Sequence, residues 1–297
     1  MTTIAAEDLQ ATVQAWDEAA WSLAAFALTA RRSGPPELTA AARQLLAAAG
    51  LTIPPDEPPP GLGTPAPRQI ASQAAATLHQ ALALAGGGIS WSAQSEEALL
   101  AQGRASVGGA RPFAQFMLPT MGDLAGRLAS PGARMLDVGT GAAGLAVDWA
   151  QVFPQLRVLG IDTLDRALDL ARQTIAASDV ADRVTVRKQD VADFTDDTGF
   201  DLAWLPAPFI PQPVMTGGLL RVAAALRPGG WVMMGHGKFG GTPVQDALTR
   251  LKTLAYGGTP LDDAAACELL HRAGLTSVRS APTPRGVPAI TVGRKPA

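Results

Sequence analysis

Between Leu136 and Gly144 the chain reads Leu-Asp-Val-Gly-Thr-Gly-Ala-Ala-Gly, preceded by Met135 and followed by Leu-Ala-Val-Asp-Trp-Ala-Gln-Val-Phe. An apolar run, a tight glycine turn and a helix-like segment form the layout that lays a nucleotide-bearing molecule against backbone N–H groups at a helix N-terminus. Gly139, Thr140 and Gly141 make the turn, and the two glycines supply permissive backbone angles and open space for a close approach. Asp137 decides between ligands. A carboxylate two residues before the first glycine repels a pyrophosphate and welcomes a cationic amino-acid group. It therefore favours S-adenosylmethionine over NAD.

Further acids recur at the ends of apolar runs. Arg157 to Ile161 reads as a second strand closed by Asp162 and Thr163, where a carboxylate can accept both ribose hydroxyls. Arg183 to Arg187 alternates as a third strand, and Gln189-Asp190-Val191 after it places an acid for an adenine amino group. Phe200 to Leu205 reads as a fourth strand. Leu226-Arg227-Pro228-Gly229-Gly230 reads as a turn into a fifth, Trp-Val-Met-Met-Gly. The cofactor residues expected from this pattern are Asp137, Gly139, Thr140, Gly141, Asp162, Thr163, Asp190, Val191 and Leu205.

With these motifs in place, residues 110–297 resemble a class I S-adenosylmethionine-dependent methyltransferase of the small-molecule type. The resemblance rests on Asp-x-Gly-x-Gly at Asp137–Gly141, Gly-Ile-Asp at Gly160–Asp162, Gln-Asp-Val at Gln189–Val191 and Leu-Arg-Pro-Gly-Gly at Leu226–Gly230. One departure is Ala143, where the family often has glycine; here the glycine follows at Gly144. The resemblance implies an α/β, Rossmann-like seven-stranded sheet whose last strand is antiparallel. The segments Leu-Thr-Ser-Val-Arg-Ser-Ala and Ala-Ile-Thr-Val-Gly-Arg-Lys would form its final pair. It also implies S-adenosyl-L-methionine as cofactor and in-line methyl transfer to a small apolar or aromatic metabolite.

Methyl transfer asks the protein for alignment, a dry pocket and sometimes a base. The loop after the fourth strand, Leu205-Pro206-Ala207-Pro208-Phe209-Ile210-Pro211, lacks the polar head of the (Asn/Asp)-Pro-Pro-(Tyr/Phe) motif found in enzymes that methylate bases or glutamine. Rigid and apolar, it suits a hydrophobic substrate. Pro206 and Phe209, with Phe113 and Phe116 on the approach to the glycine turn, are the expected pocket residues. His236, directly after the fifth strand, is the candidate general base. No histidine follows the fourth strand, so a second reading stays open: a methyltransferase fold acting as a cyclase, a decarboxylase or a cofactor-binding module.

The elements that position these residues divide the chain of 297 residues into a helical region, 1–109, and the sheet domain, 110–297. Leu9, Val13, Trp16, Ala20, Leu23 and Ala27 mark one face of a helix ending near Arg31-Arg32-Ser33-Gly34. Trp16, Trp21 and Phe26 on it read as core or interface. A second helix follows Pro35-Pro36 and stops at Gly50, and a third covers Ile70 to Ala85, closed by Gly86-Gly87-Gly88. Between them the proline-dense stretch from Leu51 to Pro67 reads as an extended linker. A further helix begins in Ser92–Leu100, and Gly103 is odd inside it. The N-terminal helices read as a cap over the substrate or as a homodimer contact. A net charge of −2, with 24 basic and 26 acidic residues and no basic run, argues against a nucleic-acid partner. Cys267 alone builds neither disulfide nor cysteine-rich metal site, and His79, His236 and His271 have no metal-ligand spacing. The longest apolar run, Ala19–Ala30, is too short for a membrane span. A cytoplasmic protein with no metal is expected.

Overall fold

The helical spacing of the first third becomes three helices, α1 (Ala6–Arg31), α2 (Pro36–Ala48) and α3 (Pro67–Ala85). The computed structural model describes residues 6–31, 34–53, 67–87, 90–281, 283 and 288–297. Arg32, Ser33, Gly88 and the linker stretch 54–66 lie outside them. The chain forms two compact units, Met1–Leu82 and Ala83–Ala297. Residues 83–109, grouped with the N-terminal helices on the pattern alone, cluster by contact with the sheet. In the first unit Ala27, Ala30, Ala71 and Ala74 form one small apolar cluster and Ala25, Ala42 and Leu46 another, both touched by Phe26. Trp16 and Trp21 are each 65% exposed, so the core reading fails for both.

The second unit opens with a single 3₁₀ turn, Trp91–Ala93, and α4 (Glu96–Ala105). Ser95 caps α4 by accepting the Ala98 N–H, and Glu96 and Glu97 fall in its first turn, where acids suit the helix dipole. From Ala110 to Thr120 the chain passes through a short α-turn (α5, Ala110–Pro112), a π-helical turn and a 3₁₀ turn before α6 (Leu124–Ala129).

The sheet follows in regular alternation: β1 (Arg134–Val138), α7 (Gly144–Val152), β2 (Arg157–Asp162), α8 (Asp165–Ala176), β3 (Val184–Lys188), β4 (Phe200–Pro206), α9 (Gln212–Ala225) and β5 (Leu226–His236). It ends with α10 (Pro243–Ala255), α11 (Asp263–Arg272), β6 (Thr276–Ala281) and β7 (Ala289–Arg294). Strand order is β3-β2-β1-β4-β5-β7-β6; β1 to β5 pair in parallel, and β7 lies antiparallel to both β5 and β6. The expected sheet and its C-terminal pair are both present. Leu226–Gly230 joins β5 itself, with Gly229 at φ +77° and Lys295 bonding to Gly230 across the kink, instead of preceding the strand as a turn.

The central strands are buried on both faces, which explains their continuous apolar runs. At their N-terminal ends buried Asp201 accepts from the Arg134 N–H at 3.0 Å and from Arg227 at 2.8 Å. That end of the sheet is fastened by charge. The C-terminal ends of β1 and β4, neighbours with chain reversal between them, leave the crevice where open α/β sheets bind ligands. Among the described residues no helix is long and apolar enough to cross a membrane.

Candidate functional site

The turn after β1 uses both glycines as the sequence requires: Gly139 has φ +66° and Gly141 φ +54°. Ala143 takes the left-handed conformation too, φ +61°, at a position where an L side chain is strained. Thr140 turns inward and donates its hydroxyl to Asp137 Oδ2 at 2.8 Å. Gly160 on β2 makes room for it, since a Cβ there would lie 2.6 Å from Thr140 Oγ1. Asp162 accepts the Gly141 N–H at 2.9 Å and the Leu164 N–H at 3.0 Å. The Thr163 N–H also lowers the cost of its charge, and a carboxylate with about four acceptor sites keeps capacity for a hydroxyl beside these three.

Burial is the main influence on both acids. It raises the Asp162 carboxyl above the ordinary carboxylate value, against the N–H bonds from Leu164 and Gly141. Asp137, only 2% exposed, is pushed up to about 7 by burial, opposed by the Thr140 hydroxyl and reinforced by the charge of Asp162. Two coupled carboxyls thus stand at the ends of adjacent strands.

The rest of the expected cofactor set is spread along the same edge. Thr163 and Asp190 are exposed, and Asp190 accepts the Ala192 N–H at 2.9 Å. Val191 is buried against α9, where a Cβ on Gly218 would come within 2.8 Å of it. Leu205 is a correction: its side chain is wholly buried in the core with Val232 and Met234. Successive strand residues face opposite ways. Pro206 is the one at the turn, with its Cγ 3.8 Å from a Cβ built on Gly139.

Phe209, in the 3₁₀ turn after β4, belongs to a three-ring cluster. Its centroid is 5.2 Å from Trp91 and 5.3 Å from Tyr256, and Trp91 and Tyr256 are 5.5 Å apart. The loop is held from outside. Thr259 donates its N–H to Ala207 O at 2.9 Å and its hydroxyl to Ile210 O at 2.8 Å. A Cβ on Gly258 would fall 1.9 Å from Pro208 O, so only glycine fits there. Burial pushes the Tyr256 hydroxyl up to about 12, so it stays protonated.

Two pocket assignments and the base are revised by the geometry. Phe113 is a core residue, its ring 4.6 Å from Trp149, and Phe116 is 48% exposed on the π-helical turn. His236 is 1% exposed; Nδ1 lies 3.0 Å from Gly237 O and Nε2 2.8 Å from Thr291 Oγ1. It closes β5 opposite Ala289 and braces β5 against β7. With both ring nitrogens engaged inside the protein, it is not presented as a base.

Two further features escaped the sequence. Gly103 of α4 lies directly on the glycine turn: a Cβ on Gly144 would be 2.0 Å from Gly103 O, and one on Gly103 would be 2.9 Å from the Ala142 Cβ. Asp148 of α7 accepts the Ala110 N–H at 3.0 Å from a buried position and tethers the start of α5. The glycine at 103 was the visible signal of the first; nothing marked Asp148.

Residues 135–230 match the methyltransferase domain family. The sheet order around that match is that of the class I S-adenosylmethionine-dependent methyltransferase fold. Release factor glutamine methyltransferase of Xylella fastidiosa (strain 9a5c) is 29% identical over 188 residues, covering 55% of this chain and 60% of the relative. The chain therefore spans less than two thirds of that relative's length. An O-methyltransferase family protein from Burkholderia thailandensis superposes with a TM-score of 0.66 at 19% identity, covering 100% of this chain and 99% of that one. Human N-acetylserotonin methyltransferase, solved in complex with S-adenosylmethionine, gives 0.60 at 16%, covering 94% and 93%. These two likenesses are of fold.

Proposed function

We propose that this protein transfers a methyl group from S-adenosylmethionine to a small apolar or aromatic metabolite. The observation that carries the reading is the pair Asp137 and Asp162 beside an open glycine turn at the switch point of the sheet. Two carboxyls suit a cationic nucleoside and repel a pyrophosphate. A Cβ on Gly141 would meet nothing within 4 Å, so the turn offers free space to a ligand. When bound, S-adenosylmethionine supplies a methyl group activated by the sulfonium. Asp162 keeps acceptor capacity for a ribose hydroxyl, Asp190 stands on the β3 side for the adenine amino group, and Pro206 walls the turn.

The β4 loop supports this acceptor class. Leu205 replaces the polar head that would orient an amide or base nitrogen, and the loop carries prolines and Phe209 instead. With His236 engaged elsewhere, alignment and exclusion of water are the contributions this chain makes to the reaction. Exposed Leu9, Val13, Trp16 and Trp21 on α1 support self-association through the N-terminal helices.

Calorimetric titration is expected to give binding of S-adenosylhomocysteine and none of NAD. Asp162→Ala should weaken that binding at least tenfold, since about 1.4 kcal/mol, the low side of a charge-assisted hydrogen bond, is one decade. Label from methyl-labelled S-adenosylmethionine should enter aromatic metabolites in a panel. Binding without transfer to any member would favour the non-methylating reading of the fold.

A further inference from the structure

Four buried side-chain polar atoms among the described residues lack a hydrogen-bond partner, and two of them are three residues apart: Trp91 Nε1 and Gln94 Oε1. Buried polar groups are paired in the great majority of cases, so each exception calls for a cause. One is a donor and the other an acceptor. Gln94 is 5% exposed and closes the 3₁₀ turn, its N–H bonding to Trp91 O at 3.2 Å. In such a turn residues i and i+3 lie on one face, so the two side chains share a side.

The turn is placed across the crevice. On one flank Ser92 O accepts from Arg166 of α8 at 3.0 Å, and Trp91 packs on the apolar cluster that includes Ala142 of the glycine turn. On the other flank its ring meets Phe209 and Tyr256. We propose that the Trp91–Gln94 turn is the acceptor-recognition element, taking an aromatic ring that bears a hydroxyl. The ring packs against the cluster that Trp91, Phe209 and Tyr256 form, while one hydroxyl accepts from Trp91 Nε1–H and donates to Gln94 Oε1. This rests on the methyltransferase reading and adds to it the residues that choose the substrate.

The test uses the full chain saturated with S-adenosylhomocysteine and two probes, 2-naphthol and 2-methoxynaphthalene. The ether keeps the ring and the acceptor oxygen but has no proton to donate to Gln94. Wild-type protein is expected to bind the naphthol at least tenfold more tightly, and Gln94→Leu should bring that ratio to about one. Trp91→Phe, which keeps a ring and loses the N–H, should weaken both probes. In the ligand-free protein Gln94→Leu should melt at the wild-type temperature or above, because it removes a buried acceptor with no partner. A ratio of one in wild type, an unchanged ratio in Gln94→Leu, or a lower melting temperature for that variant overturns the proposal. Absence of S-adenosylhomocysteine binding with the naphthol preference intact would instead overturn the methyltransferase reading and leave the aromatic seat standing.

Discussion

Asp137 holds a carboxyl whose folded-state pKa of about 7 lies above its ordinary value of 3.8. The folded protein therefore binds more protons than the unfolded chain between these values, and stability falls as pH rises through that window. A shift of this size corresponds to something on the order of 4 kcal/mol. Asp137→Asn, which keeps an acceptor for the Thr140 hydroxyl, should raise the melting temperature at pH 8 and leave it nearly unchanged at pH 4. The same variant should bind S-adenosylmethionine more weakly. In wild type, affinity should rise from pH 6 to pH 8 as the carboxyl ionises against a cationic ligand, a trend absent from the variant. Flat affinity in wild type would remove Asp137 from the site. The acids at strand ends were legible because the chemistry of a strand terminus depends on little beyond its own sequence. His236 was not. Gly-His-Gly looks like a free loop, yet the histidine is the last residue of a strand whose side-chain partner, Thr291, arrives 55 positions later. Leu205 failed by one place, because sidedness on a doubly buried strand leaves no alternation to read.

Backbone contact sets the behaviour of the elements. α4 approaches the turn so closely that Gly144→Ala must drive the two apart, since its methyl would overlap the Gly103 carbonyl. That variant should lose more than about 2 kcal/mol in denaturant melts and bind S-adenosylhomocysteine poorly. Gly103→Ala meets only a methyl group and gains roughly 1 kcal/mol of helix propensity, so its loss should be smaller. Equal losses would show that the close approach is not what fixes the glycine at 144. The β4 loop rests on Thr259 in a similar way. Thr259→Val keeps the shape, leaves the Ile210 carbonyl unpaired, and should destabilise by about 1–3 kcal/mol. Turnover should fall beyond what stability explains, because Phe209 rides on that loop. The strand–helix alternation was readable from the period of the apolar residues; the clamp and the three-ring cluster were not, since their members lie far apart along the chain.

At the scale of the molecule, charge fastens one end of the sheet and ligands are expected at the other. Asp201 with its arginines is remote from the crevice, at the opposite ends of the same strands, so the two ends belong to one cooperative unit. Binding to the folded form should then act on the sheet unit as a whole. S-adenosylhomocysteine at a hundred times its Kd adds about 2.7 kcal/mol, or roughly 5–10 °C in the melting temperature of a unit this size. Scanning calorimetry with and without the ligand measures the shift, and a melting temperature unmoved at saturation would count against the crevice as a binding site.

The meeting of Gly103 with Gly144 also bears on how this protein can be varied. It is made of main chain, so no choice of side chain can tune it; it is kept whole or lost whole. The rings and amide of the proposed acceptor seat, Trp91, Gln94, Phe209 and Tyr256, are side chains, and each can be exchanged in small steps. A library directed at those four positions would search for new acceptors without replacing any residue of the nucleoside cradle. The architecture thus separates a fixed half from an adjustable half, and redesign has its natural place in the second.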